Sequence, residues 1–443
     1  MNFLKIQNIL KNFFTYIVFV VLSLTAIFTR SFLGLSIFSF RLGEILIAFG
    51  FIISIYLLFF GKPKSIFKFK QSKISFIFKL IIIYFLLRMF LNINQLSLYN
   101  FKSSSFIWTI AFLYFGLIIA NLSENNLFLK SLFYFVPIII YIFQSGNYPD
   151  FIIKFFQTNS DKFQFMKASD MVIAIIISSL FSKFYPVYKN IYVYWTLFLI
   201  ALFLPLVAAN SRGAVVGIVL FLILFLITNI KIIISLKYQN IILLTILICT
   251  FSASSLRVSG ASFDSPDKQV SEKILNEIPD AVKKIANEKN TEDVFLSFYF
   301  ENKRIYSTDP TTNWRLDIWQ DVYEDLLVNE RLLRGYGYSE IIPVMKDPTA
   351  PGRLGRDGLN EHVHNYFVTI FARGGYLNLI LFIFLHFSLV KYLYKSKIGA
   401  DSLLIVIPCL FMSLVDITMD GVQFPLQYYF FIGYFLNHQP IKT

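Results

Sequence analysis

Four short stretches of this sequence combine residue types that can hold anions and move protons. Asn210-Ser211-Arg212-Gly213 separates two apolar runs, and Asn313-Trp314-Arg315-Leu316-Asp317-Ile318-Trp319 opens a segment with helical periodicity. Leu333-Arg334-Gly335-Tyr336-Gly337-Tyr338 follows about one helix later. His362-Val363-His364-Asn365 then leads into an apolar run that contains Arg373-Gly374-Gly375. Arginine stays charged, and its planar fork binds phosphate oxygens in pairs. Histidine, with a pKa near 6.5, is a proton acceptor suited to neutral pH. Residues 256–365 contain no Asp-x-Asp motif and no His, Cys and Asp cluster at ligand spacing, so no metal is expected. Cys249 and Cys409 both lie in apolar runs and offer neither a disulfide framework nor a metal site.

The composition indicates what must hold these residues. The chain has 443 residues, 56% of them hydrophobic and 52 of them Phe, with a mean hydropathy of +0.63. That is too apolar for an ordinary water-soluble domain and fits a bundle of membrane spans. Lipid offers backbone groups no water to bond, so runs such as 191–209 and 213–227 must be helical. Each reaches or approaches the ~20 residues that cross ~30 Å of hydrocarbon. The expected spans are 12–29, 43–60, 75–92, 105–121, 131–146, 169–184, 191–209, 213–230, 239–255, 366–390, 402–419 and 424–437. The first ends in Thr29-Arg30 without a small-residue cleavage pattern and reads as a retained signal anchor. The expected fold is therefore all-α: a polytopic integral membrane bundle of about 12 transmembrane helices with one large, mainly helical loop. Residues 1–255 carry nine helices, 256–365 form the loop domain, and 366–443 carry the last three.

Charge distribution sets the expected orientation. Residues 256–365 hold 19 of the 27 acidic residues and 14 of the 40 basic ones, net −5, whereas the rest of the chain is net +18. A formal charge of +13 distributed in this way is a positive-inside bias and not a nucleic-acid surface. With a cytoplasmic N-terminus, the lysine-rich stretches around Lys62 to Lys73, Lys183, Lys231 and Lys391 to Lys397 fall inside. The short loops opposite carry only Arg30, Arg41, Lys102, Lys154, Lys162, Lys167 and Arg212. Both termini are thus expected on the cytoplasmic side of the membrane, with the loop and its chemistry on the outer face.

Within the loop, Trp314, Ile318, Val322 and Leu326 recur every four residues and predict an amphipathic helix. Ile274, Ile278, Val282 and Ile285 form a second such pattern, disturbed by Pro279. The Pro- and Gly-rich stretch 348–358 reads as a mobile strip. Each candidate also has a plainer reading. Arg212 can anchor a helix end by snorkelling, and Arg315 can pair with Asp317 or Asp321 on a solvated face. His364 can cap a helix. Gly335 and Gly337 fit turn geometry, while Trp314 and Trp319 fit packing of the loop helix. Counted at 100° per residue, Arg373 lies opposite His364 and ~13 Å further along a continuous helix. There it would face the bundle or pair with Asp416 or Asp420.

In order and spacing, the four stretches resemble the O-antigen ligase and O-antigen polymerase family of membrane glycosyltransferases. The resemblance runs from about Ala208 to Gly375. Its landmarks are an Arg-Gly at an outer helix end, an Arg followed by Trp on a loop helix, a Gly-x-Gly turn, and a His-Asn before a helix with a downstream Gly. Two histidines, His362 and His364, stand here where one is expected, and the loop is net acidic. The resemblance implies transfer of a glycan from undecaprenyl diphosphate to an acceptor hydroxyl, with lipid A-core the expected acceptor in lipopolysaccharide biosynthesis. It implies that Arg212 and Arg315 bind the donor diphosphate and that His364 is the base, with His362, Asn365 and Arg373 as secondary candidates. No cofactor and no nucleic acid are implied. A polymerase or a protein O-oligosaccharyltransferase of the same family shares these motifs. A transporter of lipid-linked oligosaccharide would instead show repeated halves and interrupted helices meeting at the midplane.

Overall fold

The computed structural model describes residues 3–59, 73–91, 97–122, 127–146, 148–160, 166–186, 188, 190–235, 239–259, 298–350, 352–354, 361–396 and 398–436. The second loop pattern, Ile274 to Ile285, and residues 351 and 355–358 of the strip lie outside these residues. The architecture is a helical bundle. It begins with α1 (Phe3–Leu33), which is kinked at Thr29, followed by a two-residue hairpin of β1 (Ser36–Ile37) and β2 (Phe40–Arg41). Next come α2 (Leu42–Phe59), α3 (Lys73–Phe90), α4 (Leu98–Ser103), α5 (Ser105–Trp108) and α6 (Phe112–Leu122). Then follow α7 (Leu127–Ser145), α8 (Asp150–Asn159), α9 (Ala168–Phe184), α10 (Ile191–Asn210), α11 (Arg212–Ser235) and α12 (Gln239–Ser259). The loop contributes β3 (Phe298–Glu301), β4 (Arg304–Ser307) and α13 (Pro310–Val328). The last three helices are α14 (Tyr366–Lys395), α15 (Ser402–Val415) and α16 (Gln423–Leu436).

Among the described residues, seven helices are long and apolar enough to cross a membrane. They correspond to the expected first, second, fourth, seventh, eighth, ninth and tenth spans. The other expected spans are helical, but they are shorter or more charged. α3 carries Lys73, Lys79 and Arg88. α9 has 17 residues and α16 has 14; at ~1.5 Å per residue, 14 residues reach about 21 Å, short of the hydrocarbon. Both are enclosed by protein. α9 is buried on every side between α7, α10, α11 and α15, which is why its sequence is apolar all round.

The loop is less uniformly helical than expected, because β3 and β4 pair as an antiparallel hairpin ahead of α13. Asp309 caps α13, its carboxylate accepting from the Thr312 backbone N–H at 2.9 Å, and Pro310 follows where its missing N–H costs nothing. Ile318, Val322 and Leu326 are fully buried, as the four-residue repeat predicts, and form a small core with Tyr336, Met345, Val363 and Phe371.

Loop and bundle are joined at α14, which breaks at Gly375 (φ 67°). The chain at 332–337 crosses this break. Backbone N–H groups of Tyr336 and Gly337 donate to the carbonyls of Ala372 and Arg373, and that of Tyr376 donates to Leu332. Gly335 (φ 64°) and Gly375 sit at the crossing, where a Cβ on Gly375 would lie 2.3 Å from the Leu333 carbonyl carbon. The Gly-x-Gly stretch is therefore a docking turn, as its plainer reading holds.

Candidate active site

The site assembles around the C-terminal end of α15. Arg212 is the first residue of α11, and the following Gly213 lets this helix end approach closely, since a Cβ there would lie 2.7 Å from Val415 Cγ2. Arg315, near the start of α13, donates to the Val415 carbonyl. Asn365 donates to the Leu414 carbonyl at 2.8 Å. Three separate elements are thus tied to the same two residues.

Arg212 is half-exposed and forms an ion pair of 3.4 Å with Asp309. Burial alone would raise the Asp309 carboxyl, but hydrogen bonds from Thr312 and the charges of Arg212 and Arg315 hold it below the usual range. Asp309 therefore bridges the two arginines electrostatically. Burial lowers the pKa of Arg315, with Asp416 and Asp309 opposing, and its Nε–H is buried without an acceptor. Neither Asp317 nor Asp321 is paired with Arg315. Asp321 is held by Arg304 and Arg353, and Asp317 accepts from Asn313 at 3.4 Å.

His364 has a left-handed backbone (φ 57°) and is held on both sides. Trp319 Nε1 donates to the Val363 carbonyl at 2.7 Å, while the Asn365 side chain accepts from the N–H groups of Phe367 and Val368 at 3.0 and 3.1 Å. Asn365, not His364, is therefore the cap of α14. The His364 ring stands edge-on to Trp314, with centroids 4.9 Å apart. Burial, then Arg315 and Lys167, push its pKa down to about 4, with Asp416 opposing. The ring is neutral at pH 7, so it can accept a proton.

His362 and Arg373 belong to an adjoining cavity of about 390 Å³ that neither Arg212, Arg315 nor His364 lines. His362 Nδ1 is 4.0 Å from Asp420 Oδ2, and burial plus the charges of Arg30, His364 and Lys167 push the His362 pKa down to about 3. Arg373 is buried. Its guanidinium donates to the carbonyls of Gly337 and Glu340 and to the Tyr99 hydroxyl, rather than pairing with Asp416 or Asp420. The break at Gly375 keeps Arg373 in a short first segment of α14, anchored to the loop.

Residues 196–383 match the family model described as O-antigen ligase. This stretch belongs to the O-antigen ligase family. The O-antigen ligase match contains all four motifs, and with the apolar helices it supports a membrane enzyme of the ligase and polymerase kind. No curated protein matches the chain. Several groups around the site lie outside the matched stretch and were not singled out as site residues from sequence: Arg30, Lys167 and Asp416 beside His364, and Arg41, Lys102 and Asp420 in the cavity. The four cations among the cavity and His364 neighbours that precede residue 196 all come from the short loops expected opposite the lysine-rich side. Lys183 and Asp401, both from the expected lysine-rich side, pair with each other at 2.6 Å.

Proposed function

We propose that this chain is the ligase that moves a completed O-antigen glycan from undecaprenyl diphosphate onto lipid A-core at the periplasmic face of the inner membrane. The observation carrying this reading is the convergence of Arg212, Arg315 and His364, all inside the O-antigen ligase match, on the end of α15. In the proposed step an acceptor hydroxyl oxygen attacks the anomeric carbon of the donor glycan. The bond from that carbon to the diphosphate oxygen breaks, and its electron pair leaves on undecaprenyl diphosphate. The hydroxyl proton passes to His364. Arg212 and Arg315 offset the charge that grows on the departing diphosphate without having to reorganise. The buried, unsatisfied Nε–H of Arg315 suits a phosphate oxygen.

A surface-glycan gel of a deletion strain tests the reading. Carrier-linked polymer should accumulate while lipid A-core goes unmodified. Single repeat units on lipid A-core would mean a polymerase, and a normal glycan pattern with unglycosylated proteins would mean an oligosaccharyltransferase. Complementation with Arg212→Lys or Arg315→Lys should restore transfer at a rate roughly ten- to a hundred-fold below wild type, because lysine keeps the charge but loses the fork. Asp317→Ala should complement fully. Full complementation by alanine variants at both positions, made at normal levels, would remove the diphosphate role.

Orientation is checked separately. Reporter fusions after Lys70 and Lys395 should read cytoplasmic, and one at Lys289 should read periplasmic. A cytoplasmic signal at Lys289 would place the site on the wrong side for this function.

A further inference from the structure

We infer that the 390 Å³ cavity beside His362 is the subsite for the acceptor sugar, and that Asp420 receives one of its hydroxyl groups. This inference rests on the functional reading above and adds where the acceptor lies. Its volume falls within the ~300–1,000 Å³ usual for small-molecule sites. The walls come from the first and last parts of the chain as well as the loop: Arg41 and Glu44 near the hairpin, Tyr99 and Phe106 on α4 and α5, and Asp420 between α15 and α16. Three carboxylates, Glu44, Glu361 and Asp420, and four cations, Arg30, Arg41, Lys102 and Arg373, line this space. Such a mixed polar wall offers both acceptors and donors to sugar hydroxyls, while Tyr99 and Phe106 offer ring faces or edges to the apolar C–H surface of a sugar.

Most of the polar groups here are already engaged. Lys102 pairs with Glu361 at 3.1 Å, and Glu361 also accepts from the Tyr99 hydroxyl at 3.0 Å. Glu44 accepts from the Arg41 backbone N–H at 3.0 Å. Arg373 is committed to carbonyls of the loop. Asp420 differs. Its side chain is 2% exposed, Oδ2 accepts from Thr369 at 3.2 Å, and Oδ1 is buried with no hydrogen-bond partner. A buried carboxylate oxygen left unsatisfied costs free energy that a ligand hydroxyl would recover. The location also fits transfer. His362 lines the cavity and His364 is two residues away, a span of at most ~7 Å of chain. A sugar in the cavity can present a hydroxyl to His364 from one side, with the diphosphate on Arg212 and Arg315 on the other.

The test uses the full chain in detergent, a carrier-linked glycan donor and deacylated lipid A-core oligosaccharide as acceptor. Asp420→Asn keeps the side-chain size and removes only the charge, so the variant should fold, and its melting temperature shows whether it does. It should raise the KM for the acceptor about tenfold or more and leave the KM for the donor unchanged. An unchanged acceptor KM, or a rise in donor KM instead, overturns the inference while the proposed function stands. Saturation-transfer NMR with the oligosaccharide alone separates the two ideas further. If wild type transfers nothing yet binds the oligosaccharide in a manner lost in Asp420→Asn, the ligase reading falls and the sugar site stands. Binding that persists in Asp420→Asn, or is absent from wild type, overturns the site.

Discussion

His364→Ala is expected to lower glycan transfer by roughly 10²–10⁴-fold, the usual loss on removing a general base, while His362→Ala keeps transfer within about tenfold of wild type. The two histidines are separated by environment. His364 lies against Trp314 and under the field of Arg315, beside the proposed diphosphate site, whereas His362 opens into the adjoining cavity. Alanine at a left-handed position adds backbone strain, so His364→Asn serves as the companion variant, because asparagine tolerates that conformation. Both should be inactive and folded. The pH profile gives a second readout. A base works in its neutral form, and burial with the Arg315 and Lys167 charges pushes the His364 pKa down to about 4. The acid limb of kcat/KM should therefore fall near pH 4, with no inflection near 6.5 that belongs to this residue. Loss of transfer in His362→Ala with transfer retained in His364→Asn would move the role to His362.

Gly375→Ala is expected to cost about 2–6 kcal/mol of stability and to remove the loop from its seat. Two effects add. The backbone there has φ 67°, a conformation costing about 1–3 kcal/mol for a residue with a side chain. The new Cβ would also lie 2.3 Å from the Leu333 carbonyl carbon, and forced overpacking typically costs a further ~1–3 kcal/mol. Thermal unfolding in detergent, followed by helical signal and by limited proteolysis within 298–350, checks this. An unchanged melting temperature and an unchanged digest would show that the crossing does not hold the loop.

The apolar runs made the helices legible, because each carries its own evidence in length and hydropathy. The periodicity of Trp314, Ile318, Val322 and Leu326 likewise located α13 and its buried face. The hairpin at 298–307 was missed, although strand-forming Phe298, Tyr299 and Phe300 and Ile305 and Tyr306 flank the two-residue turn Asn302-Lys303. Nor was the central position of α9, whose lack of a lipid-facing side depends on helices far away in sequence. For the site, arginine and histidine types at motif spacing pointed to Arg212, Arg315 and His364. The partners of Arg373, the carbonyls of Gly337 and Glu340 and the Tyr99 hydroxyl, lie far away in sequence and could not be read from its own helix. Arg30, Lys102, Lys167 and Asp420 had no motif around them. Only their shared membership of the sparsely charged short loops, or a place beside a helix end, could have drawn attention to them.

At φ 57° His364 is a sprung residue, kept from relaxing toward an extended backbone by the Trp319 anchor before it and the Asn365 cap after it. Its imidazole is therefore delivered to one place before any substrate arrives, and no rearrangement has to be waited for when the proton moves. The same tension is released once either anchor lets go. On warming, the ring of the proposed base should lose its aim while the surrounding helices remain intact, so that inactivation runs ahead of melting.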